Sequence, residues 1–308
     1  MSLVIVGSIG LDTVKTTVEE HANLLGGSAS YAAIAGAYYA PVQLVGIVGT
    51  DFPQEHVDFF KSRKIDLEGL QVVDGKTFRW SGEYSLDMNS RQTRSIELNV
   101  FEKFSPELPA SYRSSRFALL GNIAPSLQLH VLDQLQSPHF VIADTMDLWI
   151  DIAKPELLQL IARVDMLILN DGEARQLTGE NNLMKAGKHI CDLGPRYVAI
   201  KKGEHGCLLF GKKEGEFFQC GAFPLDSILD PTGAGDTFAG GLAGFLAHSD
   251  QAEVTFDLLK KGVVIGSMLA SFNVERFSML RMKDLSFEEL QARCQKFIQI
   301  SAIGSLEV

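Results

Sequence analysis

The run Asp230-Pro231-Thr232-Gly233-Ala234-Gly235-Asp236-Thr237-Phe238-Ala239-Gly240-Gly241 combines a turn of small residues with a single carboxylate. Phe238, Leu242, Phe245 and Leu246 follow at i, i+4, i+7 and i+8, one apolar stripe of a helix, so the turn opens that helix. Gly233, Ala234 and Gly235 let a ligand approach the backbone closely. The first amides of a helix have no intrahelical partner and favour an anion, so a phosphate fits there. Asp236 is an unusual neighbour for a phosphate unless its carboxylate faces an attacking hydroxyl, orienting it and taking its proton as a phosphoryl group moves in line. The alternative is a glycine-rich helix start with Asp236 as its N-cap.

The elements that must hold such a site are legible as short apolar runs. Leu3 to Val6, Gln43 to Val45, Phe117 to Leu120, Phe140 to Ile142, Met166 to Leu169, Tyr197 to Ile200 and Cys207 to Phe210 each end in a polar or glycine turn. Amphipathic segments fall between many of them: Ser28 to Tyr39, His56 to Ser62, Leu127 to Gln136 and Pro155 to Ala162. A β-then-α rhythm predicts a doubly wound, mostly parallel sheet flanked by helices. Ligands in such folds gather beyond the carboxyl ends of the strands, and Asp12, Asn122, Asp144, Asn170 and Gly203 all lie just past strand-like runs.

One stretch breaks the rhythm. Phe78, Trp80 and Tyr84 alternate with polar residues in Thr77 to Ser85, and Ile96, Leu98 and Val100 alternate in Ser95 to Val100. With a turn over Asp87 to Arg91 these predict a β-hairpin, and Asp12 to Val18 adds a strand to the same small sheet. The expectation is one domain over 1–308 with a small β-sheet lid built from inserts at about 12–25 and 72–101. Phe287 to Ile300 reads as a closing helix.

With 46% hydrophobic residues the chain can form a real interior, and a formal charge of −10 argues against a nucleic-acid surface. Cys191, Cys207, Cys220 and Cys294 form no CxxC pair, and no histidine stands at zinc spacing, so neither a Cys/His zinc centre nor a disulfide framework is expected. The N-terminus enters a strand-like run without a basic, apolar leader, and no segment has the length of a membrane span; the expected setting is cytoplasmic.

From Asp230 to Ala243 the chain resembles the second signature of the PfkB, or ribokinase-like, carbohydrate kinases without a mismatch. The resemblance implies the ribokinase-like fold and a kinase using ATP and Mg²⁺. Asp236 would be the general base and Gly233, Ala234 and Gly235 the anion hole. Asn170-Asp171-Gly172-Glu173 resembles the family's Asn-x-x-Glu segment, which implies nucleotide binding at Asn170 and a metal-side role for Glu173. The same four residues also suit a capping box. Lys201-Lys202-Gly203-Glu204-His205-Gly206 is similar to the family's Thr-x-Gly-x-x-Gly nucleotide loop, with Gly203 and Gly206 in place and Lys201 at the threonine position. That lysine either approaches the ATP phosphates or sits solvated in a turn. Around Ser267 to Val274 the family lines its adenine pocket with small residues, and Asn273 is the candidate to reach the purine.

Toward the N-terminus, Gly26-Gly27-Ser28-Ala29-Ser30-Tyr31 resembles the first family signature, with Gly26 and Gly27 closing on substrate. Here the usual asparagine falls on Tyr31 and the lysine of ribokinases on Ser28. Gly7-Ser8-Ile9-Gly10-Leu11-Asp12 keeps the family's substrate-binding aspartate as Asp12 but has Gly10 where an asparagine is common. Asp12 can accept hydrogen bonds from vicinal hydroxyls, or it is a turn aspartate; Asn122 is a further substrate candidate or a helix cap. The implied reaction is phosphorylation of a primary hydroxyl on a small sugar or sugar-like alcohol. The altered sugar contacts keep a nucleoside kinase open, with Tyr31 stacking on a base, and a non-catalytic sugar or nucleotide sensor is the competing class. The aromatic hairpin suggests a homodimer through the lid.

Overall fold

The computed structural model describes residues 1–88, 90–249 and 251–302. Nine strands form a large sheet in the order β13-β12-β11-β10-β9-β8-β1-β4-β5. In chain order these are β1 (Leu3–Val6), β4 (Val42–Gly49), β5 (Leu70–Val73), β8 (Phe117–Leu120), β9 (Phe140–Asp144), β10 (Met166–Asn170), β11 (Tyr197–Lys201), β12 (Cys207–Gly211) and β13 (Phe217–Cys220). All neighbours run parallel except β12, which is antiparallel to both β11 and β13. The chain winds outward one way through β4 and β5 and the other way from β8 to β11. The reversal lies between β1 and β8, where a doubly wound sheet opens a crevice at its carboxyl edge.

Alternate strand residues feed two cores, as a sheet covered on both faces requires. Leu3, Ile5, Leu119 and Ile168 pack on one side with α1 (Ser28–Gly36), α2 (Gln54–Ser62), α8 (Ala234–His248), α9 (Phe256–Asn273), α10 (Leu280–Asp284) and α11 (Phe287–Ser301). Val4, Val6, Leu120 and Leu167 face the other side with α3 (Pro125–Gln134), α4 (Asp147–Ile152), α5 (Lys154–Ile161), α6 (Asp171–Thr178) and α7 (Leu183–Asp192). Proline in the first turn of α3 and of α5, and capping boxes at Asn170/Glu173 and Ser286/Glu289, start helices where the chain leaves the sheet.

The second sheet has the order β3-β2-β6-β7, from β2 (Gly10–Lys15), β3 (Glu20–Gly26), β6 (Phe78–Tyr84) and β7 (Arg91–Glu97). The doubly wound sheet, its flanking helices and the small extra sheet agree with the fold expected from the sequence. The hairpin differs in detail. β7 starts at Arg91, and residues 99–103 coil into a 3-10 turn, so the apolar alternation through Val100 is not strand pairing. The expected turn spans Asn89, which lies outside the described residues. Residues 72 and 73 belong to β5 of the large sheet instead of the lid. Val14, Tyr84 and Phe277 form a small core that ties the lid to the body.

Candidate active site

Gly233 caps α8 in the left-handed region, with φ 72°. A side chain there would be strained, and its Cβ would fall on the Tyr31 ring. Thr237 N–H begins the helical ladder on the Gly233 carbonyl at 2.8 Å. The amides of Gly235 and Asp236 precede that ladder and are offered to a ligand. Ala234 N–H instead turns back to the Pro231 carbonyl at 3.2 Å, so it does not contribute its amide to the anion hole assigned to it.

The turn is clamped on three sides. Asp230, fully buried, accepts from Thr232 N–H at 2.9 Å and from Ser278 N–H at 2.8 Å. Asn273 donates to the Thr232 carbonyl at 2.9 Å. The Thr232 hydroxyl meets Tyr84 Oη of the lid at 3.1 Å. Asn273 is therefore a support for the turn: it is wholly buried and absent from the cleft wall, which corrects its expected contact with a purine.

Behind the turn lies a cluster of charge. Lys201, at the end of β11, extends its ammonium to the Asp144 carboxylate at 3.2 Å. A Cβ added to Gly235 would stand 3.0 Å from that nitrogen, so the cation lies directly under the phosphate-facing turn. Burial opposes the lysine's charge, but Asp144, Glu173 and Asp236 around it hold its pKa above the ordinary value. Lys201 is a largely buried site cation, 19% exposed, and not a solvated turn residue. Burial, reinforced by Asp144, raises Asp236 to about 7, with Lys201 and Arg91 pulling the other way. Desolvation thus outweighs the attraction of the neighbouring cations.

Glu173 forms the capping box of α6: Asn170 Oδ1 accepts from Glu173 N–H at 2.8 Å and Glu173 Oε2 accepts from Asn170 N–H at 2.6 Å. Burial still lifts its carboxyl to about 7, with Asp144 adding to the rise. Asn170 thus has a structural role as a helix cap, while the Glu173 carboxylate stands near Lys201 and Asp144.

At the switch-point crevice, Asp12 on β2 is 4% exposed, and its Oδ1 has no hydrogen-bond partner. Gly26 faces it: a Cβ on Gly26 would land on the carboxylate, so only glycine leaves this group room. Burial, with Asp230 and Asp236 nearby, raises Asp12 to about 8. Ser8 and Ser28 pair their hydroxyls at 3.2 Å beside Gly7, Gly27 and Gly121. Tyr31 packs its ring against Gly233. Its ring is buried behind Gly233, so it packs the turn and cannot stack on a ligand's base. Asn122 follows Gly121 at the end of β8, with its Oδ1 accepting from the Trp149 indole at 2.8 Å. Gln128 of α3 secures this edge by donating to the carbonyls of Leu120, Gly121 and Asp144.

On the far side of the turn opens a cleft of about 490 Å³, lined by Gly203, Gly206, Ser267, Ala270 and Val274, with Met88 of the lid. Lys201 and Gly235 form the shared wall between this cleft and the turn. Among the described residues no group of three acidic, His or Cys ligands is preassembled for a metal. No described helix is long and apolar enough to cross a membrane.

Arg91, Tyr84 and Trp149 carry no local sequence pattern that marks them as site residues. Arg91 is an exposed lid residue that nonetheless lowers the pKa values of Asp12 and Asp236 from across the site and packs its guanidinium 5.9 Å from the Trp80 ring. It has no local motif; only the fold brings it near. Asp144 was visible as a strand-end acid, but its pairing with Lys201 needs the parallel register of β9, β10 and β11.

The family model for pfkB family carbohydrate kinases matches residues 128–279. The chain is 31% identical over 253 residues to a cytidine kinase of Thermococcus kodakarensis, covering 80% of this chain and 88% of that protein. In three dimensions it is similar to the Methanocaldococcus jannaschii nucleoside kinase (TM-score 0.76, 18% identity, 96% and 98% of the two chains). It is also similar to the Arabidopsis thaliana ribokinase complexed with ribose and ATP (TM-score 0.75, 21% identity, 95% and 98%). The chain belongs to the pfkB family of carbohydrate kinases, phosphotransferases that pass a phosphoryl group from ATP to an alcohol.

Proposed function

We propose that the protein phosphorylates the primary hydroxyl of a ribonucleoside. The observation that carries this reading is the buried Asp12 carboxylate with an unpartnered oxygen, cleared by Gly26 for the vicinal hydroxyls of a ribose. The relative at 31% identity is named a cytidine kinase, which supports a nucleoside over a free sugar. Ser28 agrees with it, since a neutral hydroxyl stands where ribokinases carry a lysine.

In this account Asp12 holds the ribose and Asp236 accepts a hydrogen bond from the primary hydroxyl. The alcohol oxygen forms its bond to the γ-phosphorus, the bond from that phosphorus to the β–γ bridging oxygen breaks, and the hydroxyl proton passes to Asp236. A base with pKa about 7 is matched to this work near neutrality. The Gly235 and Asp236 amides and the Lys201 ammonium face the equatorial oxygens, where charge spreads during transfer. The adenine half of ATP occupies the cleft beside Gly203, Gly206 and Ala270.

Mg²⁺ suits the donors present. Glu173 and Asp144 are hard oxygen ligands in a site with more carboxylates than cations, and Mg²⁺ needs few protein ligands because it keeps its waters. When bound it would neutralise charge on the ATP phosphates.

A panel of nucleosides and free pentoses with ATP, read by ADP release, tests the reading. Cytidine or a related nucleoside should exceed ribose in kcat/KM by at least tenfold; ribose equal to or better than every nucleoside would refute it.

A further inference from the structure

The Trp149 indole nitrogen carries a hydrogen and no acceptor lone pair, so it can only donate. Its 2.8 Å bond to Asn122 therefore fixes the oxygen side of that amide, and Nδ2 must face the other way. Among the described residues the one acceptor near Nδ2 is the Met146 thioether at 3.1 Å, a weak acceptor. Nδ2 is thus a donor of fixed direction whose protein partner is poor.

Its place in the fold gives this donor a purpose. Asn122 lies just past β8, at the edge where the winding of the sheet reverses, next to Gly121, whose backbone abuts Ser28. Ser8 follows β1, Asp12 lies on β2 and Ser28 opens α1, while Asn122 lies past β8, Met146 past β9 and Trp149 on α4. The last three are partly exposed, as an open subsite needs.

We infer that Asn122 and Trp149 form the nucleobase subsite: Asn122 Nδ2 donates to an acceptor atom of the base, such as a pyrimidine O2, and Trp149 is the positioning residue that aims it. The inference rests on the nucleoside reading above. Since Asn122 Oδ1 is occupied by the indole, the amide presents only a donor, and a base without an acceptor at that edge leaves it unpaired.

Two variants test it on the full-length protein with cytidine. Trp149→Phe keeps an aromatic ring and removes the N–H, freeing the amide to turn. KM for cytidine should rise about three- to tenfold, the range for one misplaced neutral hydrogen bond, with kcat within about twofold and KM for ATP unchanged. Asn122→Asp retains an acceptor for the indole and sets a second acceptor against the base; KM should rise about ten- to a hundredfold. Calorimetric binding of ribose should be the same in wild type and both variants. Cytidine turnover with unaltered KM in both variants overturns the subsite and leaves the nucleoside reading standing. No turnover of any nucleoside by the wild type overturns both.

Discussion

Lys201 Nζ and Asp144 Oδ1 meet at 3.2 Å beneath the turn that opens α8, joining the carboxyl ends of β11 and β9 under one phosphate-sized opening. The pair is largely buried, with 19% and 7% of the two side chains exposed. A buried ion pair gives little net stability, yet removing one partner strands the other charge.

Lys201→Met should therefore cost about 3–5 kcal/mol in urea unfolding, because Asp144 is left buried without its cation. Adding Asp144→Asn should recover most of that loss while turnover stays low, since the phosphoryl group still lacks its cation. Recovery of turnover together with stability would show that the lysine serves only the fold.

The pH dependence of kcat/KM should have an acid limb near pH 7, the value to which burial raises Asp236. The base works ionised, so activity falls as pH drops through that value. A rate unchanged between pH 5.5 and 8 would remove Asp236 as the base.

Stability of the free enzyme should run the opposite way. Folding raises Asp12 to about 8 and Asp236 and Glu173 to about 7 from ordinary carboxylate values near 4. The native state holds more protons than the unfolded chain across that window, so the stabilisation present at low pH is lost as pH rises through the folded values. The Tm of the free protein should decline from pH 5 to pH 8, and Asp12→Asn should flatten the decline. A Tm that climbs steadily over the same range contradicts the burial of these acids.

Gly26→Ala places a Cβ on the Asp12 carboxylate. The displaced anchor should raise KM for the alcohol substrate at least tenfold, about one charged hydrogen bond, with little change in KM for ATP. Equal rises in both constants would point to a general disturbance of the lid.

The parallel strands were legible because they are short, continuous apolar runs, and the glycine turn because small residues, an acid and a helical stripe occur together. β3 was hidden by its exposed, polar residues, and its place in the lid depends on pairing with β2. Tyr31 was misread because sequence cannot tell which face of α1 meets the α8 turn; the ring fills the space that Gly233 leaves. Asn273 was misread by one face of α9: Ala270 and Val274 reach the cleft, while Asn273 turns inward to Thr232. Arg91 and Trp149 act through neighbours distant in sequence, so no local pattern announces them.

In the proposed reaction Asp236 takes the proton from the alcohol. In Asp236→Asn, ATP binding by calorimetry should remain near the wild-type value while single-turnover phosphorylation of the nucleoside falls by about two to four orders of magnitude, the contribution of a placed base. Phosphoryl transfer within a few-fold of wild type, with ATP still bound, would contradict the account.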